Sequence, residues 1–339
     1  MRLRTVDPPL PDSLLDALDE LGIRTDADFV FAGTPMELYK RLPLGTVSLA
    51  QLTAYVGQVV QYSAASGMRA DNILRQAAGR GRESRQDECL SGVPELDRLT
   101  RGFGGPGVLE ISGDRGSGKT ALALQVVMRH LSLNPSSGAM WIDTTGDFSV
   151  DRVMPVLKIL DSHPGAETAA ERLQISLAFD IGSIQEILDN FASELETATA
   201  GQASRTRLLV IDNMTPIFRP LLSVVSSQGH AMMTSFMRQL RTLARTHALS
   251  VLVLNGTSAA PPHNAQSAFK STVRKPALGP TFTFQTDATL WLAMAPPELT
   301  GAAKENGDVH VAEVFRSRTT ASRSWCTFRV RGGVLSSAS

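Results

Sequence analysis

Short apolar runs alternate with amphipathic helical segments from about residue 89 almost to the end of the chain. Continuous apolar runs predict buried strands, and apolar residues at helical spacing between them predict helices. The predicted strands are residues 108–112, 138–143, 173–178, 207–212, 249–254, 287–293, 308–315 and 324–331. The predicted helices lie near residues 119–133, 151–161, 183–198 and 229–247. This alternation is typical of an α/β fold with a mostly parallel, twisted sheet and helices on both faces. The last three strands have no long helix between them, so we expect that end of the sheet to be antiparallel.

Residues 1–66 follow a different, purely helical pattern. Apolar residues recur at helical spacing after Pro11, with Asp12 or Ser13 as the expected N-cap and Gly22 as the expected end. Further helix starts are expected at Thr25 or Asp26, at Thr34 and at Leu49, since caps precede apolar runs there. These signals predict a small all-helical N-terminal domain, 1–66, ahead of a core domain, 89–335.

Residues 67–88 are predicted to link the two domains. Glycines and arginines punctuate this segment, and Glu83, Asp87 and Glu88 dilute its positive charge. It is therefore either a solvated connector or an arm that contacts phosphate groups.

Composition narrows the possible functions. The 339 residues include 33 basic and 33 acidic side chains, so no net field drives the molecule onto nucleic acid, and any contact there must be local. The two cysteines, Cys89 and Cys326, argue against a disulfide framework and fit a reducing compartment. No apolar stretch reaches the roughly 18 residues of a membrane-spanning helix, and the first residues lack the apolar run of a secretion signal. We expect a soluble, intracellular protein without membrane contact.

A phosphate-binding motif follows the first core strand. The sequence Gly113-Asp114-Arg115-Gly116-Ser117-Gly118-Lys119-Thr120 fits the pattern G-x-x-x-x-G-K-[ST] at every fixed position. It lies between a predicted strand and a predicted helix, as that loop must. Its glycines let successive N–H groups turn inward around phosphate oxygens. Lys119 is expected to reach the β- and γ-phosphates of ATP, and the Thr120 hydroxyl to ligate Mg²⁺.

A carboxylate near that loop is needed to hold the water shell of the metal. The apolar run Leu208–Ile211 ends in Asp212, which has the Walker-B form. We expect Asp212 to bind Mg²⁺ through water.

The next strand end gives the chain its resemblance to a known family. Residues 141–148 read W-I-D-T-T-G-D-F, which is similar to Y-I-D-T-E-G-x-F of the RecA-family recombinases of the eukaryotic and archaeal type. The resemblance implies a RecA-like P-loop ATPase core. In that family the glutamate is the catalytic base, and here Thr145 stands in its place. Threonine does not accept a proton at neutral pH, and Asp147 is two residues away.

A second departure from the family follows the strand near residue 254. The family has T-N-Q, whose glutamine senses the γ-phosphate, whereas this chain has Gly256 after Asn255. Loss of a general base typically lowers a rate by roughly 10²–10⁴. We therefore expect ATP binding with slow hydrolysis, at most a weak DNA-dependent ATPase activity, and we name no catalytic residue.

The resemblance also implies roles for other residues and for partners. Arg152 matches the arginine that stacks on adenine. Within the family the chain is most similar to the D-type recombinase paralog, notably in Lys275–Gly279 and in the helix that includes 232–244. This implies a nuclear protein that joins other recombinase paralogs and assists recombinase on single-stranded DNA during homologous repair.

DNA and subunit contacts are likewise implied by the resemblance. In the family two loops touch single-stranded DNA, here Pro216–Gly229 and Gly256–Leu278. Their cations, the candidate DNA-binding residues, are Arg219, Lys270, Arg274 and Lys275. Family members also assemble through an F-x-x-A segment, and Tyr62-Ser63-Ala64-Ala65 has that spacing. This segment either reaches a neighbouring subunit or packs on its own domain.

Two other functions remain open from the sequence. The chain could be a structural adaptor whose nucleotide is never hydrolysed and only stabilises a complex. Alternatively, it could be a true DNA-dependent ATPase or strand-exchange recombinase that uses Asp147 or a partner's residue as base.

Overall fold

The computed structural model describes residues 3–64, 89–197, 205–222, 227–259, 274–296 and 309–338. The chain divides into two compact units, one made of Met1–Arg82 with Leu221–Gln239 and the other of Glu83–Pro220 with Leu240–Ser339. The predicted linker 67–88 lies outside the described residues, so the predicted domain boundaries stay predictions.

The first unit begins with short helices packed around a small apolar core. The helices are α1 (Asp12–Glu20), α2 (Asp26–Phe31), α3 (Pro35–Arg41) and α4 (Leu49–Ser63). Thr25, Thr34 and Ser48 each form a capping box, in which the cap side chain and the third helical residue bond each other's backbone. Helix α1 differs from the prediction because its N-cap is Pro11, which has no capping side chain, and Asp12 is already helical. Leu14, Leu18, Phe29, Leu38 and Leu52 form the centre of the core.

The second unit is built on a sheet of nine strands, all within the described residues. In chain order its strands are β1 (Gly107–Gly113), β2 (Ser137–Asp143), β3 (Leu173–Leu177), β4 (Arg205–Asp212), β5 (Ser250–Asn255), β8 (Ala288–Met294), β9 (Val309–Ser317), β10 (Trp325–Arg331) and β11 (Val334–Ser337). Across the sheet their order is β11-β10-β9-β8-β1-β5-β4-β2-β3. A separate two-stranded hairpin pairs β6 (Thr257–Ala259) with β7 (Arg274–Pro276).

The sheet has a parallel part and an antiparallel end. Strands β3, β2, β4, β5, β1 and β8 run parallel to one another, whereas the pairs β8–β9, β9–β10 and β10–β11 are antiparallel. The predicted fold class is therefore confirmed, including the antiparallel end. The parallel strands all end at one edge, where polar residues can meet.

Helices of the second unit connect and cover these strands. They are α5 (Pro94–Thr100), α6 (Lys119–Leu133), α7 (Val153–Leu160), α8 (Ala166–Ala169), α9 (Ile181–Thr197), α10 (Thr215–Phe218), α11 (Gln228–Thr246), which begins in the first unit, and α12 (Gly279–Gln285). Helix α6 is almost wholly buried and packs with Ile111, Trp141, Val210 and Leu252 in the largest core cluster.

Within the part of the chain that the structure describes, no helix combines the length and the apolarity that crossing a bilayer requires. Cys89 and Cys326, both within the described residues, form no disulfide.

Candidate nucleotide-binding site

The segment Gly113–Thr120 turns from the end of β1 into the start of α6. Gly116 and Gly118 have φ angles of 80° and 93°, in the left-handed region that side chains disfavour. At Gly113 a Cβ atom would overlap the carbonyl oxygen of Leu292. The loop can therefore curve tightly in front of α6, whose amino end carries positive partial charge.

Lys119 lies against the loop that contains it. Its Nζ donates to the carbonyl oxygens of Gly113 at 2.9 Å and Asp114 at 2.7 Å. Burial lowers the pKa of the Lys119 ammonium, while the carboxylates of Asp212 and Asp114 oppose that shift. The ammonium is thus held at the loop, where it can meet a phosphate group.

The remaining loop residues fit a triphosphate. Ser117 is buried, and its Oγ has no hydrogen-bond partner among the described residues. Buried polar atoms normally have a partner, and a phosphate oxygen in the loop would supply one. Arg115 and Gly116 are exposed at the rim of the loop.

Thr120 and Asp212 meet although they lie 92 residues apart in the sequence. Thr120 Oγ1 donates to Asp212 Oδ2 at 2.8 Å. Burial raises the pKa of the Asp212 carboxyl, and the Thr120 hydrogen bond and the Lys119 charge act against that rise. A bound cation would favour the ionised form further.

This pair also fits Mg²⁺. Hydroxyl and carboxylate oxygens are the ligands that Mg²⁺ prefers, and the ion usually keeps several waters and phosphate oxygens. Within the described residues there is no group of three or more His, Cys, Asp or Glu side chains that could hold a metal. A magnesium ion held mainly by phosphates and water suits such a site.

Asp143 organises the turn in which Thr145 stands. Asp143 Oδ1 accepts the N–H of Thr145 at 2.9 Å and that of Gly146 at 3.0 Å, and Oδ2 accepts the N–H of Phe148 at 2.8 Å. Burial would raise the pKa of Asp143, but these donors outweigh it and lower the pKa. Thr145 and Asp147 are both exposed, and Thr145 Oγ1 also donates to Asp143. Asp143 is therefore engaged by its own turn.

Gly256 has a polar neighbourhood that sequence reasoning did not find. Its N–H donates to Thr215 Oγ1 at 2.6 Å, and that hydroxyl donates to Asn255 Oδ1 at 2.7 Å. A Cβ atom at Gly256 would lie 3.1 Å from Thr215 Oγ1. The start of α10, just after Asp212, is thereby tied to the end of β5.

The same network continues inward to Glu110. Asn255 Nδ2 and Ser112 Oγ each donate to Glu110 Oε1 at 2.7 Å, and Thr289 Oγ1 donates to Oε2 at 2.8 Å. Burial raises the pKa of Glu110, and these hydrogen bonds oppose the rise. A fully buried carboxyl thus joins β1, β5 and β8 directly behind the phosphate loop.

Asp114 binds the hairpin that follows β5. Its Oδ1 accepts Arg274 Nε at 3.0 Å, and both Arg274 Nη2 and the hydroxyl of Thr257 also donate to that oxygen. Burial would raise the pKa of Asp114, but the hydrogen bonds from Thr257 and Arg274 lower it overall. The sequence placed Arg274 among DNA contacts and carried no signal that it reaches residue 114.

The other candidate residues are spread more widely. Arg152 is exposed at the end of the turn Val150–Arg152, and its charge acts on Asp212. Arg219 follows α10 and Lys275 lies in β7, both exposed. Lys270 lies outside the described residues. The roles expected of these residues stay predictions.

Tyr62 lies in the last turn of α4. Its hydroxyl donates to the Thr5 carbonyl at 3.1 Å within the first unit. Ala65 lies outside the described residues, so the predicted F-x-x-A role of this segment stays a prediction.

The sequence of this chain is similar to those of known DNA repair proteins. The Rad51 family pattern matches residues 86–331. The chain is 26% identical to the DNA repair protein RAD51 homolog 4 of Bos taurus over 287 residues, or 84% of this chain and 82% of that protein. It is also 26% identical to the Mus musculus protein of the same name over 167 residues, 49% of this chain and 50% of that one.

The fold has a solved counterpart as well. The crystal structure of the RadB recombinase superposes with a TM-score of 0.55 at 22% sequence identity, covering 74% of this chain and 99% of that one. These comparisons confirm the predicted RecA-like core and the predicted resemblance to a recombinase paralog.

Proposed function

This chain belongs to the Rad51 family, and we propose that it binds ATP and Mg²⁺ and hydrolyses ATP slowly. Its family assigns it a role in DNA recombination and repair. We propose further that it acts in the nucleus with other recombinase paralogs, assisting recombinase on single-stranded DNA. The observation that carries the proposal is the 2.8 Å hydrogen bond from Thr120 to Asp212, which brings together a residue of the phosphate-binding motif and the acidic residue that ends β4.

Nucleotide binding follows from the residues around that bond. Lys119 and the loop N–H groups would bind the phosphates, and Thr120 and Asp212 would hold Mg²⁺, which would supply positive charge against the phosphate oxygens. Arg152, whose charge acts on Asp212, is proposed to cover the adenine.

The proposal of slow hydrolysis is supported by the residues that follow the end of β2. Asp143 is engaged by three N–H donors of its own turn, and Thr145 has no basic side chain. Among the described residues, no other carboxylate accepts hydrogen bonds from this turn. The exposed carboxylate of Asp147 stays a candidate for the general base. This arrangement equally favours a second function, a structural adaptor whose ATP stabilises the folded complex.

Partner binding is supported by the outer edge of the sheet. Strand β3 is last in the strand order, and Ile175, Leu177 and Phe179 are 42%, 58% and 64% exposed. An exposed edge strand can pair with an added strand, and pockets beside it receive alternate side chains. We propose that this edge receives the linker segment of another recombinase paralog, with its aromatic-x-x-Ala spacing.

DNA contact is proposed through the two loops named above. Of their cations, Arg219 and Lys275 are exposed, and Lys270 lies outside the described residues, whereas Arg274 is bound to Asp114. Because such contacts neutralise phosphates, the affinity for single-stranded DNA should fall steeply with salt. A flat salt response would contradict this part of the proposal.

Titration with MgATP and a turnover assay test the proposal. The wild type should bind MgATP, and Lys119→Ala should weaken binding strongly because the ammonium is lost. Turnover with single-stranded DNA should stay well below the roughly 1–10³ s⁻¹ of typical enzymes. Turnover within that range would contradict slow hydrolysis, zero turnover would favour the adaptor, and no MgATP binding would overturn the proposal.

A further inference from the structure

A negative charge lies inside the loop that is built to receive anions. Asp114 is the second residue of the phosphate loop, and its side chain is 45% exposed. Its backbone carbonyl also accepts Lys119 Nζ at 2.7 Å. A phosphate that approaches this loop would meet a carboxylate of the same sign, which repels it.

Arg274 is placed to cancel that charge. Its Nε donates to Asp114 Oδ1 at 3.0 Å, and Nη2 donates to the same oxygen. Arg274 Nε also lies 3.2 Å from Thr257 Oγ1, which itself donates to Asp114. Arg274 and Thr257 thus both donate to the same oxygen of the Asp114 carboxylate.

The position of Arg274 is set by the hairpin rather than by the loop. Strands β6 and β7 pair Ala259 with Arg274 and Thr257 with Pro276, and Ala277 N donates to Gly256 O at 3.0 Å. This hairpin stem presents Thr257 and Arg274 side by side. An arginine 160 residues away in sequence from Asp114 is thereby brought to the phosphate loop.

We propose that Arg274 is a positioning residue of the nucleotide site, which neutralises Asp114 so that the loop and Lys119 can accept the triphosphate. Without Arg274, the Lys119 ammonium would be the main positive charge near Asp114, and it would be shared between that carboxylate and the nucleotide. The effect should be larger for ATP than for ADP because the γ-phosphate adds negative charge. This inference rests on the proposed nucleotide-binding function.

A double-mutant cycle on the full chain tests the inference. Dissociation constants for MgATP and MgADP are measured for the wild type, Arg274→Ala, Asp114→Asn and the double variant. We expect Arg274→Ala to weaken MgATP binding about tenfold and MgADP binding less. In the Asp114→Asn background, the same substitution should change either dissociation constant by less than about threefold. Arg274→Lys should keep most of the affinity because it keeps the charge.

Controls separate this role from general damage. Arg98→Ala removes one exposed positive charge from α5 and should leave both affinities unchanged, and thermal unfolding checks that each variant is folded. A loss that persists in the Asp114→Asn background would overturn the inference, as it would show that Arg274 acts independently of Asp114. An Arg274→Ala variant with wild-type affinities would also overturn it, while a wild type that binds neither nucleotide would remove the proposed function and the inference with it.

Discussion

Glu110 lies in β1, the strand that leads into the phosphate loop, and its carboxyl group is fully buried. Burial raises its pKa against the opposing hydrogen bonds from Asn255, Ser112 and Thr289. The folded state therefore binds a proton more tightly than the unfolded chain does. The stabilising contribution of this group is complete below the unfolded pKa, about 4.3, and is lost as the pH rises through the folded pKa.

Replacement of Glu110 by Gln should therefore flatten the pH dependence of stability. In the wild type the free energy of unfolding should decline above about pH 4.3, by up to about 1.4 kcal/mol per pH unit from this group. Glu110→Gln removes the titration and keeps an oxygen that accepts the Asn255 bond. Denaturant unfolding of both proteins between pH 5 and 8 checks this, and equal slopes would show that Glu110 does not titrate in that range.

Thr145 offers a gain-of-function test at the residue scale. The resemblance places the family's catalytic glutamate at this exposed position, and the surrounding turn is held by Asp143. Thr145→Glu should raise ATP turnover, because a positioned general base is worth roughly 10²–10⁴ in rate; even about tenfold would be informative.

The matched variant is Thr145→Gln, which has nearly the same shape and no basic oxygen. Steady-state phosphate release with MgATP and single-stranded DNA should separate the two variants. If both behave as the wild type does, the missing glutamate is not what limits turnover in this chain.

Individual elements depend on contacts between distant segments, as the carboxyl end of α6 illustrates. Arg172 Nη1 donates to the carbonyls of Asn134 at 2.9 Å and Ser137 at 2.6 Å, and Nη2 donates to those of Leu131 at 2.7 Å and Gly165 at 2.9 Å. A cation at this end also complements the negative end of the helix dipole. The helix that begins at the phosphate loop is thus closed at its other end by one guanidinium.

Arg172→Ala should lower the free energy of unfolding by roughly 2–4 kcal/mol, since hydrogen bonds from a charged donor are lost and partly buried carbonyls are left unpaired. The stability of Arg172→Lys should lie between that of the wild type and that of Arg172→Ala, because lysine keeps the charge but lacks the planar guanidinium group. Urea denaturation measures the loss of stability, with Lys158→Ala, at an exposed position of α7, as the control expected within about 0.5 kcal/mol of the wild type. A loss no larger than that of the control would mean that the capping bonds contribute little.

Sequence reasoning succeeded where one element carries its own signal. The eight predicted strands are all present because each carries apolar residues in a run or in alternation, and Thr120 and Asp212 were both found because the motif and the strand end mark them. The strands β6, β7 and β11 were missed because segments of three or four residues are too short to show a periodic pattern. The Asp114–Arg274 contact was missed because no local pattern relates residues 160 positions apart.

At the scale of the whole molecule, a net charge of zero means that each charged contact is local. The Arg274–Asp114 pair illustrates this, since a cation counted by the sequence as available to DNA is held by an acidic partner. Exposed apolar side chains occur at several places in the described residues, and Ile175, Leu177 and Phe179 place three of them at or just after the edge strand β3. The partner contact proposed above uses that edge.

Leu177→Asp should weaken the association of this chain with other recombinase paralogs by about tenfold or more, as expected for a central apolar contact of an interface. A charge on the exposed edge strand also opposes strand pairing. Leu44→Asp is the control, because Leu44 is fully exposed and belongs to the first unit, whereas β3 belongs to the second. Co-purification of the tagged chain from its own cells, followed by titration with the partner identified, measures the effect, and MgATP binding should be retained in both variants. If Leu177→Asp associates as the wild type does, partners bind elsewhere on the molecule, because a carboxylate at the centre of an apolar edge cannot be buried without a large cost.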